Sequence, residues 1–112
     1  MRTRQQLIVA TLDLLNVTQA GQDPEPEDVT KVDELIDGQL SELNTLRIIN
    51  FTNRKEFDDQ FIDPLATVMA NAAAPSFGQP RNPDSLREAR NRLREMRNSS
   101  WTADTVTPSL YF

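Results

Sequence analysis

The sequence predicts an all-α protein: a small bundle of about four helices with one short extended segment and an extended C-terminal arm. Three observations predict it. Apolar residues recur at three- and four-residue spacing through four separate stretches. Polar breaks carrying proline or glycine part those stretches. Only one run, Ile48–Thr52, has the β-branched and aromatic character of a strand. The chain has 112 residues, 38% hydrophobic content and seven aromatic residues, which sets it at one domain with a modest core. The core is assigned to residues 1–97 and the arm to residues 98–112.

The first helix is expected to start at Thr3 as N-cap, to carry a stripe of Leu7, Ala10, Thr11, Leu14 and Leu15, and to stop by Val17. Gly21, Pro24 and Pro26 break the chain after it. The second helix runs from about Glu27 to Leu46, with Val29, Val32, Ile36, Leu40 and Leu43 on one face and acids crowding its first turn. Gly38 in its interior weakens a helix by roughly 1 kcal/mol relative to alanine, which suggests a close contact there. Asn53–Asp59 reads as a charged turn. Asp63 before Pro64 reads as cap plus first helical residue of a third helix, which carries Leu65, Val68, Met69 and Ala72 and ends near Pro75–Gly78. Asn82 before Pro83 repeats that signal for a fourth helix through Arg97, with Leu86, Ala89, Leu93 and Met96 inward. Phe51, Phe57, Phe61 and Phe77 read as core.

Charge is unevenly spread. From Arg81 to Arg97 six arginines face three acids, and from Asp23 to Glu42 eight acids face Lys31 alone, in a chain of net charge −5. Arg87, Arg90, Arg94 and Arg97 form a strip along the edge of the fourth helix's apolar face. Such a strip is either solvated and paired within the chain, set against an acidic helix of a neighbouring copy, or laid on a polyanion. Glu27, Asp28, Asp33, Glu34 and Asp37 on the second helix offer the acidic complement, as a partner face or a channel lining. Opposite strips on different faces make a head-to-tail contact, which closes into a ring when the rotation allows.

Chemistry for catalysis is sparse. Cysteine and histidine are absent, removing disulfides, thiolates and the commonest metal ligand and general base. Asp58, Asp59 and Asp63 read as a solvated turn and a helix cap, and the serines lack an activating base. Gly21 and Gly78 are isolated, so no phosphate-cradling loop is present. The expectation is a non-enzymatic protein without cofactor or metal. No run reaches transmembrane length, and no apolar signal region follows Met1–Gln6; a soluble protein of a reducing interior is expected. In the arm, Trp101, Pro108, Leu110, Tyr111 and Phe112 form a candidate partner-binding segment, since tryptophan and tyrosine are favoured interface anchors.

Taken together, several stretches resemble the head-to-tail adaptor (connector or head-completion) proteins of tailed bacteriophages, most like those of short-tailed phages. They are Leu14-Leu15-Asn16-Val17, Gly21 to Pro26 opening a long helix with Leu40 and Leu43, Phe61-Ile62-Asp63-Pro64-Leu65-Ala66, and the Ala-rich helix closing on Ser76-Phe77-Gly78. A further charged helix and the arm complete the order. The resemblance covers nearly the whole chain and rests on element order and weak motifs. It implies a four-helix core that assembles as a twelve-fold ring under the portal protein, extends the DNA channel without gripping DNA specifically, and meets tail proteins below. Residues 101–112 would then be the portal-binding arm, and the fourth helix a subunit or portal contact. The expected setting is the virion head–tail junction, and the host cytoplasm during assembly. The alternative is a small helical nucleic-acid-binding or adaptor protein using the arginine-rich fourth helix.

Overall fold

A computed structural model describes residues 1–17 and 24–104, and for residues 98–104 gives the course of the backbone alone. Among them the chain forms β1 (Arg2–Thr3), α1 (Arg4–Leu14), α2 (Pro26–Thr45), β2 (Glu56–Phe57), α3 (Asp59–Ala73), a 3₁₀ turn (Ala74–Phe77) and α4 (Pro83–Asp104). This is a small all-α bundle. The four-helix expectation is met.

The most apolar helix sits at the centre. Phe61, Ile62, Leu65, Val68 and Met69 of α3 are all buried, and α1, α2 and α4 pack around them. Arg4 N–H donates to Lys55 O at 2.8 Å, setting the start of α1 beside the start of α3. At the far end Leu15 packs on Ala70, Ala73 and Ala74, so α1 and α3 run parallel. Arg90 reaches Glu42 and Arg97 reaches the carbonyl of Arg47, so α4 runs parallel to α2 and opposite to α3. Alternate packing of this kind leaves each helix one apolar stripe, and the stripes of α2 (Val32, Ile36, Leu40, Leu43) and α4 (Ala89, Leu93) fall where the spacing predicts.

Local signals set most helix ends. Thr3 accepts from Gln6 N–H at 3.2 Å while Gln6 Oε1 accepts from Thr3 N–H at 2.8 Å, a reciprocal cap for α1. Asn82 Oδ1 accepts from the N–H groups of Asp84 and Ser85 and caps α4. Three helical segments close with a left-handed residue: Asn16 (φ 57°), Arg47 (φ 59°) and Gly78 (φ 72°). In each case the next N–H turns back five residues, Val17 to Leu12 O, Ile48 to Leu43 O and Gln79 to Ala74 O.

Several expectations are corrected. Ile48–Thr52 is not a strand; Ile48 spends its N–H on the closure of α2, and the side chains of Ile48 and Ile49 are apolar because they are buried. The strand pair is instead β1 with β2, antiparallel, with Arg2 opposite Phe57, and β2 lies inside what reads as a charged turn. The third helix starts at Asp59 with Asp58 as cap, so Pro64 lies inside it. Burial of Phe61 and Ile62 rewards the earlier start, and Gln60, whose carbonyl loses a donor to the proline, is exposed. On α1, Ile8 and Leu12 are buried while Leu14 stands 53% exposed, so the inward face is rotated from the expected stripe. Gly38 has nothing within 4 Å of an added Cβ, so no close contact explains it. Residues 98–104, Trp101 included, are helical and not extended. No glycine or proline interrupts them, and nothing local stops α4. Pro108, Leu110, Tyr111 and Phe112 lie outside the described residues.

Phe57 and Phe61 are buried, and Phe51 meets both edge-on with ring centroids 5.4 and 5.3 Å away. Phe77 is half-buried with Lys31 Nζ 5.2 Å over its ring.

Candidate functional site

The acidic helix and the arginine helix meet within one molecule. Arg90 Nη2 lies 3.4 Å from Glu42 Oε1 across the α2–α4 seam. Its Nε–H is buried with no hydrogen-bond partner among the described residues. A cleft of about 200 Å³ lies beside it between α2, α3 and α4, lined by Gln39, Glu42, Asn71, Arg81, Leu86 and Arg90. Arg87 pairs with Asp84 on its own helix at 2.7 Å, and Arg94 donates to Asn91 Oδ1 at 3.0 Å. Arg97 donates to the Arg47 carbonyl just past the end of α2. The strip therefore exists in space, but Arg90 and Arg97 point into intramolecular contacts and Arg87 and Arg94 make local ones.

Asp33 and Asp37 are likewise engaged within the chain. Arg4 Nε lies 2.7 Å from Asp33 Oδ1, Arg4 Nη1 lies 3.0 Å from Asp37 Oδ1, and Arg4 Nη2 donates to the Asp33 carbonyl at 3.0 Å. Arg54 adds a bond to the Asp37 carbonyl at 3.2 Å and to Ser41 Oγ at 3.1 Å. The hydrogen bond from Arg4, helped by the nearby Arg4 and Arg54 charges against a small burial cost, holds the Asp37 carboxyl below its usual range. Burial works against the Arg4 charge, but hydrogen bonds to Asp37 and Asp33 outweigh it and raise its pKa. This cluster ties β1 and α1 to α2 and to the loop before β2. It is a fastening that engages two of the five acids of the candidate partner face within the chain. Glu27 and Glu34 are exposed and Asp28 half-exposed, and none of the three has an ion pair among the described residues.

A cleft with two arginines lies at the C-terminal end of α2. Among the described residues, Asn44, Thr45, Arg47, Ile49, Asn50 and Arg97 line an open cleft of about 630 Å³. Asp58, Asp59 and Asp63 do not converge: Asp58 holds the cap position of α3 without a side-chain cap hydrogen bond, Asp59 lies 3.6 Å from Arg2 Nε, and Asp63 is exposed a turn later. Among the described residues no group of acids is placed to hold a metal. None of the described helices is long and apolar enough to cross a membrane.

Arg4, Arg54 and Arg47 escape sequence reasoning. The partners of Arg4 lie 29 and 33 residues away, beyond any periodicity. A signal for Arg47 does exist: a helix end with no glycine, followed by Ile48-Ile49, fits a closure in which Leu43 meets Ile48.

Comparison of the chain with protein-family models, curated proteins and solved structures returns no match.

Proposed function

We propose that this chain is a structural adaptor of a bacteriophage head–tail junction, seated as a ring beneath the portal protein and continuing the DNA channel. The observation that carries the reading is the order of elements. A capped first helix, a long acidic helix, a central alanine-bearing helix and a charged last helix follow one another in the order on which the resemblance rests, without the short extended piece expected at Ile48–Thr52. That last helix also runs seven residues beyond Arg97, roughly 10 Å at helical rise, into the segment assigned to partner binding.

The charge distribution supports a role that is structural rather than catalytic. A net charge of −5 disfavours nonspecific adhesion to phosphate, as a sleeve around a moving duplex requires. Contacts between copies need not be strong individually, because a multivalent platform raises their effective concentration. On this reading the free chain is a monomer and the ring of twelve forms on the portal.

The test is reconstitution with a portal protein from the same phage. Full-length chain should give complexes of fixed stoichiometry, and a chain ending at Asp104 should lose them while retaining its helical spectrum. Undiminished binding by the shortened chain would refute the arm assignment, and failure of the full chain to bind would refute the adaptor reading.

A further inference from the structure

We infer that the cleft between α2, α3 and α4 binds inorganic phosphate, with Glu42 accepting a hydrogen bond from the phosphate's own hydroxyl. The cleft holds about 200 Å³, against roughly 10–15 Å³ needed for a single water. Val68 and Ala72 of α3 line part of it with carbon. Its polar lining is Gln39 and Glu42 from α2, Asn71 from α3, Arg81 just before α4, and Arg90 within α4.

Donors outnumber acceptors there. Arg81 is exposed, and its side chain has no hydrogen bond or ion pair among the described residues. Arg90 offers five N–H donors, like any guanidinium. Its ion pair with Glu42 is long at 3.4 Å, where charge-assisted bonds run about 2.7–2.9 Å, and its Nε–H is buried without a partner among the described residues. An acceptor in the cleft can draw that guanidinium toward itself with little to lose. Asn71 Oδ1 is spent on the Asn82 N–H at 2.7 Å, which fixes the carboxamide and leaves its NH₂ as the end with donors to give. Two guanidinium forks and a carboxamide suit a compact oxyanion with several oxygens.

Glu42 decides which oxyanion. A carboxylate in the lining repels a fully ionised ligand but accepts a hydrogen bond from one that keeps a proton. Inorganic phosphate keeps a P–OH throughout the neutral range. Sulfate has none, a phosphodiester has none, and a phosphate monoester gives up its last proton at about pH 6. The lining therefore favours free phosphate over the DNA backbone, in keeping with a chain of net charge −5. This site is separate from the portal contact, and each can fail without the other.

The experiment is calorimetric titration of the full-length chain with inorganic phosphate at about pH 7.5, with sulfate and a nucleoside monophosphate run in parallel. Phosphate should bind once per chain and about tenfold or more tighter than either competitor. Arg81→Gln should weaken phosphate about tenfold while leaving the urea midpoint in place, because Arg81 has no partner within the fold to lose. Arg92→Gln removes the same charge from an exposed position outside the cleft and should leave the affinity as it was. Glu42→Gln exchanges a pure acceptor for a group that also donates, so sulfate should then bind as well as phosphate. A Glu42 serving only to hold Arg90 would leave the ratio of the two anions unchanged. That ratio is the deciding quantity, since both anions raise stability alike by exclusion from protein surface. No saturable binding of phosphate, equal affinity for sulfate in the wild-type chain, or equal losses in Arg81→Gln and Arg92→Gln would overturn the inference. So would a Glu42→Gln chain that still prefers phosphate.

Discussion

Gly38 and Gly78 make a pair whose substitution by alanine should move stability in opposite directions. Neither has any atom within 4 Å of where a Cβ would stand, so sterics cannot account for a difference. Only the backbone differs. Gly38 lies in the middle of α2 on its exposed side, with helical dihedrals. Alanine there removes the extra conformational freedom glycine holds in the unfolded chain and should add about 0.5–1 kcal/mol. Gly78 sits at φ 72°, closing the 3₁₀ turn through Gly78 N–H to Pro75 O and Gln79 N–H to Ala74 O. An L-residue there bears a left-handed penalty of roughly 1–2 kcal/mol, partly offset by a stiffer unfolded chain, for a net loss of about 1 kcal/mol. Urea titration followed by circular dichroism gives both values, and the melting temperature should rise or fall by roughly 4–8 °C per kcal/mol for domains near this size. A destabilised Gly38→Ala, or two shifts of the same sign, would refute the argument that backbone conformation alone decides. An assembled state adds a second readout. If alanine at position 38 stabilises the free chain while weakening association, the close approach that Gly38 lacks inside the molecule lies between molecules.

Two further outcomes follow from the core and from the arginine cluster. Leu65 is fully buried at the centre of α3, so Leu65→Ala should cost about 2–5 kcal/mol, a large share of the total for a small domain, and should lower the urea midpoint without changing its slope. Asp37 titrates below its usual range in the folded chain because Arg4 donates to it, so its contribution is full above the unfolded carboxylate pKa of about 4 and is lost as pH falls through the folded value. Unfolding measured from pH 6 down to pH 2 should therefore show stability falling with acid, and Asp37→Asn should flatten that dependence; an unchanged acid limb in the variant would contradict the role given to the Arg4–Asp37 bond.

Helices, caps and buried stripes were legible wherever a signal and its partner lie within a few residues. Thr3 with Gln6, Asn82 with Asp84 and Ser85, and the stripes of α2 and α4 are all of this kind. Where two local readings compete, the sequence alone does not choose. On α1 the spacing picks Leu7, Ala10, Thr11, Leu14 and Leu15, whereas contact with α3 buries Leu7, Ile8, Thr11, Leu12 and Leu15 and leaves Leu14 exposed. Pro64 is a good helix start by local rules, and it was overruled because Phe61 and Ile62 had apolar surface to bury one turn earlier.

By itself, then, the chain determined that it would be helical, roughly where each helix lies, and which residues carry opposite charge. The tertiary structure decided where those charges go: Arg4 to Asp33 and Asp37, Arg90 to Glu42, and Arg97 to the end of α2. It also decided that Arg47 and Arg97, fifty residues apart, would line one cleft at the end of α2. The reason is one of range. Periodicity and capping are energies between neighbours along the chain, whereas an ion pair or a cleft depends on the positions of residues dozens apart, which only the packing of α3 against the other helices brings together.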